Sequence, residues 1–508
     1  MIYPSGANQP GGYLTGRFSR YFSLDVLRGI ALAGMLLISI REFGGFSLNQ
    51  QLKLELAATG GNYQLWRVFS VLLEGKMMAL LSLVFGAGIV LYFSHKKEEV
   101  STAVTDLYIR RQLWLLFFGI VNAILLLWPG DVLFGYGVIG ILLFTCWRLS
   151  PRWLLLMALL FTIIYCGKNY WNYSDDKKAY GKYLVVTEKE KQFSKDSLTR
   201  FREDSTWAAA NPAAWAGKKK DTLVKRGDKD TLIRKLLNDS LIKAAAADTL
   251  TSREQDDKGA WEGLLRQFKY DSTADKGSQA AMHAGYGKIW SHLLGKTQGR
   301  EAAWFYRTGI WEIGAMLLLG MALYKWHFFS SRFSRRRYLL IGLLAIAAGL
   351  ALAWLRQDCR QAQLADYAVY VSARSFPASL AFPFENLLMA TGYAALLLWL
   401  VRLQPALWLW KIFAAPGQMA LTTYLSQTIM ATVFFYGYGM GFYGHMPQWQ
   451  LYAVAAEIWL IQAVFSVFWL RRYRMGPAEW LWHYLIHWKK IAVKYPAEKQ
   501  GAAPVIPS

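Results

Sequence analysis

The sequence predicts an all-α integral membrane protein, with about ten transmembrane helices and a polar, partly helical extracytoplasmic insert. Three observations carry that prediction. The 508 residues are 54% hydrophobic, with 23 Trp, 28 Tyr and 28 Phe, and the apolar residues fall in long runs of the kind a bilayer requires. The basic residues gather in short clusters between those runs. One long stretch, 168–305, breaks the alternation with a composition of its own. A net charge of +23 so distributed reads as membrane orientation and not as a nucleic-acid surface.

The first run follows Ser23-Leu24-Asp25-Val26-Leu27-Arg28-Gly29 and extends to Ile40. Arg41-Glu42-Phe43 follows it where a signal peptide would place small residues, so it reads as a retained span. The remaining spans are expected at 71–94, 112–128, 132–147, 152–167, 308–326, 338–355, 378–401, 412–436 and 451–470. Counting from a cytoplasmic N-terminal segment, 1–22, the basic clusters all fall on one face. They are Arg17 and Arg20, Lys96 to Arg111, Arg148 and Arg152, Lys325 with Arg332 to Arg337, Arg402 and Lys411, and Arg471 to Arg474. The positive-inside rule makes that face cytoplasmic and puts both termini there. Residues 64–74 read as an interfacial segment, because a further crossing would turn every later cluster to the wrong face.

The expected organisation is therefore a five-helix bundle over 23–167, the insert 168–305, a second five-helix bundle over 306–470 and a cytoplasmic interfacial tail, 471–508. The insert is rich in Lys, Asp, Ala and Thr, as in Ala216-Gly217-Lys218-Lys219-Lys220-Asp221. Short helices suit that composition, and sparse aromatics (Trp207, Trp215, Trp261) argue against a large core. It reads as a solvated cap, with a substrate-binding lid as the alternative. The tail Glu479-Trp480-Leu481-Trp482-His483 suits the headgroup layer as an anchor. Three cysteines, Cys146, Cys166 and Cys359, form neither a disulfide framework nor a metal-ligand spacing, and no metal site is expected.

Charge inside a bilayer is costly, so ionisable residues there are the candidate site. Asp25 and Arg28 stand one helical turn apart, close enough to pair. Each alone has a plain explanation, as a helix-dipole partner or a snorkelling cation; both together suit a gate or latch. Glu312, Glu385 and Glu457 lie within spans, Asp131 at the outer end of one and Lys76 at the start of another. Gln418, Thr422, Thr423, Tyr424 and Gln427 add polar groups to the ninth span. Together they suggest a polar cavity open to the outside; the structural alternative is a set of ion pairs and hydrogen bonds holding helices together. Gly86-Ala87-Gly88 lacks the strand-turn-helix setting of a phosphate loop and reads as helix packing. Of the histidines, His445 is the one expected near that outer cavity.

Several stretches in order resemble the YeiB-like membrane proteins, also called domain of unknown function 418. They are Ser23 to Ala31, Gly75-Lys76 leading to Gly88, Arg110-Arg111 followed by Gly130-Asp131-Val132-Leu133 and Tyr136, Ala415 to Gln427, and Gly476-Pro477-Ala478-Glu479-Trp480-Leu481-Trp482. Where that family often has a histidine before the Asp131 stretch, this chain has Asn122. The family looks distantly similar to membrane acyltransferases that modify extracytoplasmic glycans with acyl groups drawn from the cytoplasm. The resemblance implies an inner-membrane acyltransferase-like enzyme. An acyl-coenzyme A would be its donor, held by Arg28, and a glycan or lipid its acceptor, with Asp131, Glu385 or Glu457 as base. A transporter of a small or lipidic molecule is the alternative, and a structural membrane protein with the insert as its partner surface a third.

Overall fold

The computed structural model describes residues 20–94, 102–210, 250–330, 333–403 and 407–488. They are helical, with no strand among the described residues. The helices are α1 (Arg20–Phe43), α2 (Leu48–Ala57), α3 (Gly60–Leu72), α4 (Lys76–Ser94), α5 (Thr102–Ile120), α6 (Leu133–Leu143) and α7 (Pro151–Ala210). After the gap come α8 (Ser252–Arg266), α9 (Ser272–Met282), α10 (Tyr286–Gln298), α11 (Ile310–Lys325), α12 (Arg335–Ala365) and α13 (Tyr367–Ala373). The chain closes with α14 (Ala381–Leu403), α15 (Leu407–Gln418), α16 (Ala420–Phe435), α17 (Gln448–Arg472) and α18 (Pro477–His487).

Seven helical stretches are long and apolar enough to cross a membrane, and the chain is a multi-pass membrane protein. They cover seven of the ten expected spans. The other three fall on shorter or broken helices. Span 132–147 becomes α6 with a 3-10 turn, span 308–326 the 16-residue α11, and span 412–436 the pair α15 and α16. The last break follows Pro416, and Met419 lies off the helical region at φ −103°, ψ 40°.

Two compact units divide the chain: residues 1–169, 271–361 and 378–508 form one, and 170–270 with 362–377 the other. The expected insert 168–305 is therefore not one body, since 271–305 packs within the first unit. Its start is also different: α7 runs from Pro151 through the expected boundary to Ala210 without a break. Ala216 to Asp221, Trp215, Arg17, Lys96, Lys97 and Arg332 lie outside the described residues.

In the first unit, α4 and α11 are buried on almost every face, which accounts for their lack of an amphipathic pattern. They meet through a reciprocal small-residue seam. A Cβ on Gly86 would lie 2.1 Å from the Leu317 carbonyl oxygen, and one on Gly320 would lie 2.1 Å from that of Leu83. The Gly86-Ala87-Gly88 stretch is thus a packing face. A second seam joins α1 to α15, with Gly29 against the Phe413 carbonyl and Gly417 against that of Asp25. Apolar residues of α12 and α17, such as Leu344, Trp354, Leu460 and Phe468, stay exposed, as lipid-facing residues do.

The second unit is held by aromatics and charge. Trp261 is 1% exposed and packs on Tyr180, Tyr183 and Tyr367, and the Tyr367 hydroxyl donates to Asp176 at 2.6 Å. Lys182–Asp257, Lys189–Glu254 and Lys258–Glu190 pairs, each at 2.8 Å, tie α7 to α8. Pairs this exposed contribute little each, so the small aromatic cluster is the main source of stability.

Candidate functional site

Two clusters of ionisable residues are buried in the first unit, and they differ in what they leave unpaired. The first surrounds Glu385, whose side chain is fully buried with Lys76. Lys76 pairs with Glu385, and Arg356 Nε donates to its Oε2 at 2.8 Å while the other end of the guanidinium reaches Oε1 at 3.3 Å. Asn386 Nδ2 lies 3.4 Å from Glu312 Oε1. Both Glu385 oxygens are paired to cations, so Glu385 clamps α4, α12 and α14 together, as the helix-holding alternative expects. Glu457 lies on an exposed face of α17, because the buried face of that helix is set by Val454, Ala455, Ile458 and Gln462.

Gln427 and Thr423 belong to the helix-holding alternative as well. Gln427 Nε2 donates to Gln462 Oε1 at 3.2 Å, Gln462 donates to the Thr423 carbonyl at 2.9 Å, and the Thr423 hydroxyl donates to the Pro416 carbonyl at 3.1 Å. His445 is exposed and stands beside His283, with ring centroids 5.0 Å apart.

The larger cavity lies at the Arg28 end of α1, not among the intramembrane glutamates. It holds about 160 Å³. Arg28 lines it and is paired to Asp25 at 2.9 Å. The Cβ that Gly88 lacks would stand 3.8 Å from the guanidinium, so the glycine widens the cavity there. Arg111 enters from α5, stacked over Trp482 at 4.8 Å and Tyr92 at 5.7 Å. Its Nε has no hydrogen-bond partner among the described residues, and no carboxylate pairs with it there. Arg474, Gln418 and His483 complete the polar end. Burial, with His487 and Arg111 nearby, pushes His483 down to about 4, so its imidazole is neutral at pH 7. Leu32, Phe85, Leu115, Leu133 and Ile486 make the walls apolar.

What shapes this end is a pair of helix starts facing each other. The Glu479 carboxylate of α18 accepts from the amides of Leu421 at 2.7 Å and Thr422 at 3.2 Å, and so caps α16 from another helix. The Thr422 hydroxyl in turn accepts from the Ala478 amide of α18 at 2.9 Å. The carboxylate neutralises the positive end of α16 that the break at Met419 creates, while standing in the first turn of α18. The tail helix is therefore a structural wall of the cavity, a role its anchor-like composition did not indicate. Glu479→Ala is expected to cost about 2 kcal/mol, since hydrogen bonds to a charged group are worth roughly 1.5–3 kcal/mol. Thermal unfolding in detergent measures it, and limited proteolysis should cut first near α18.

The cavity ends at Val132, Tyr136 and Tyr424. Behind that wall sits Asp131, 5% exposed. Its Oδ1 accepts from Asn122 at 2.8 Å and Tyr424 at 3.2 Å, and its Oδ2 accepts from the Phe134 amide at 2.8 Å. The Asn122 amide thus fixes the carboxylate. On the far side is a small pocket of about 10 Å³, lined by Asp131, Val132, Arg300, Glu301 and Trp304. Val132 lines both spaces. Two π-helical segments carry residues around Asp131, Val121–Leu125 with Asn122 and Gly299–Gly309 with Arg300 and Glu301. Such segments are frequent at functional sites. Among the described residues no group of three or more metal-ligating side chains converges.

Residues 323–489 match the model of a protein family of unknown function, DUF418. The uncharacterized protein YeiB of Escherichia coli (strain K12) is 26% identical over 480 residues, 92% of this chain and 96% of the relative. The uncharacterized protein YxaH of Bacillus subtilis (strain 168) is 24% identical over 93% of this chain and 96% of its own length. An uncharacterized 39.9 kDa protein of Bacillus acidopullulyticus is 32% identical over 116 residues, 22% of this chain and 33% of that one. No solved structure matches. The break at Met419, the cap from Glu479 and Trp482 over Arg111 all fall within or against the matched region, so the likeness to the DUF418 family lies where the cavity's polar end is built.

Proposed function

We propose that the chain is an inner-membrane acyltransferase-like enzyme, with both termini cytoplasmic. In this reading the Arg28 cavity binds an anionic acyl donor, such as an acyl-coenzyme A, from the cytoplasmic side, and the acyl group passes toward Asp131. The observation that carries it is one cavity with an arginine-rich end, apolar walls and a blind end at a hydrogen-bonded carboxylate. Guanidinium groups suit phosphate and carboxylate, and apolar walls suit an acyl chain. The basic clusters between spans support the orientation. A glycan or a lipid-linked sugar would be the acceptor.

The test is transfer from radiolabelled acyl-coenzyme A to an added glycoside by purified protein in vesicles. Arg28→Ala is expected to weaken donor binding about tenfold to a hundredfold, the range for losing a hydrogen bond to a charged group. Arg28→Lys should recover part of it. The absence of any labelled acceptor from folded native protein overturns this reading. A transporter is the second reading, favoured by Val132 lining both spaces; labelled substrate crossing the vesicle membrane without transfer would select it.

A further inference from the structure

We propose that Glu301 is the general base of the site, taking the proton of an acceptor hydroxyl that approaches Asp131 through the pocket under Arg300 and Trp304. This rests on the acyl-transfer reading and assigns its other half. Asp131 is an unsuitable base on geometry, because its two oxygens already accept three hydrogen bonds and it is walled in by Tyr424 and Asn122. Glu301 has the opposite character. It faces the same small pocket, and its Oε1 has no partner among the described residues. The Arg300 guanidinium is stacked on the Trp304 ring at 3.7 Å, and its Nε is equally without a partner there. One unpaired acceptor and one unpaired donor on neighbouring residues suit a hydroxyl, which gives one hydrogen bond and takes another. The cation disfavours an amine acceptor, so the acceptor class is an alcohol, such as a sugar hydroxyl.

The acceptor oxygen bonds to the acyl carbonyl carbon as its proton passes to Glu301. The bond from that carbon to the donor's sulfur or oxygen then breaks, and the leaving group departs into the Arg28 cavity with the electron pair. Glu301 returns the proton to solvent or to the leaving group. Asp131 and Tyr424 position the meeting point and do not exchange protons.

Burial, with the Asp131 charge next to it, raises Glu301 to about 8, against the pull of Arg300. Asp131 and Arg300 are the charged groups that act on it, and Arg300 also acts on Glu42 and Glu312. A base must be ionised to act, so transfer should climb as pH rises through about 8.

The experiment compares native protein with Glu301→Gln in vesicles, using radiolabelled acyl-coenzyme A and methyl glucoside from pH 6 to 9. Glu301→Gln should lose about 10²–10⁴-fold in transfer rate, bind the labelled donor as native protein does, and lack the climb with pH. Glu301→Asp should recover part of the rate with a shifted profile. Equal transfer by native protein and Glu301→Gln across this range overturns the assignment while leaving acyl transfer standing. A loss of donor binding matching that of Arg28→Ala also overturns it, as the sign of a structural defect. No transfer by native protein overturns the parent reading and this one with it.

Discussion

Glu385→Ala is expected to destabilise the protein by about 3–5 kcal/mol, the usual effect of removing one partner from a buried ion pair. Lys76 would keep the Ser70 carbonyl at 3.4 Å, the Phe382 ring at 5.8 Å and the weaker pull of Glu74, with no route to solvent from a fully buried position. Arg356 is 18% exposed and can turn partly outward, so Lys76 suffers more. The same physics says that the cluster as a whole adds little net stability, since desolvating the ions offsets most of their attraction. A Lys76→Met, Glu385→Leu, Arg356→Met protein should therefore unfold near the native temperature, while the single variant falls far below it. Thermal unfolding followed by tryptophan fluorescence in detergent separates the two. A catalytic Glu385 would show the reverse: activity lost in the triple variant and stability little changed in the single one.

The second large effect is expected at the seam between α1 and α15. A Cβ on Gly29 would stand 1.8 Å from the Phe413 carbonyl oxygen, and one on Gly417 the same distance from that of Asp25. Neither obstacle is a side-chain end that could turn away; both are backbone. Alanine at Gly29 gains about 1 kcal/mol of helix propensity but must force two helices apart. Overpacking costs roughly 1–3 kcal/mol and rises with size, so Gly29→Leu should cost about 3 kcal/mol or more. The same turn carries Asp25 and Arg28, so donor binding should fall with it. Gly61, with nothing within 4 Å of its added Cβ, is the control, and Gly61→Ala should leave both stability and binding unchanged.

The helical architecture was legible in the sequence because apolar run length is a one-dimensional signal. What run length could not give is where helices break. Span 412–436 reads as one segment until Pro416 and Met419 interrupt it, and the break is made tolerable by Glu479, sixty residues away in a segment that reads as a surface anchor. The insert boundary failed for a related reason. Polar composition marks residues 271–305 as outside the bilayer, but it does not say which body they pack on, and pairs such as Tyr286 with the Leu125 carbonyl at 2.8 Å tie them to the first unit.

The site divided in the same way. Asp25 and Arg28 were readable as a pair because three residues make one turn, and they form one. The intramembrane glutamates were visible as anomalies of composition, but a sequence cannot count partners. Glu385 has two cations, whereas Glu457 faces outward from the buried side of its helix. Glu301 was hidden by its place at the polar end of the insert, where an acid is unremarkable. Its signal lies only in three dimensions, beside Asp131 and at the back of the cavity wall.

The most direct test of the account is equilibrium binding of radiolabelled acyl-coenzyme A to purified protein, native against Arg28→Ala and Arg111→Ala. Saturable, salt-sensitive binding by the native chain is expected, with a loss of tenfold or more in each variant and folding intact. Equal binding by all three proteins, or none by any, would contradict it.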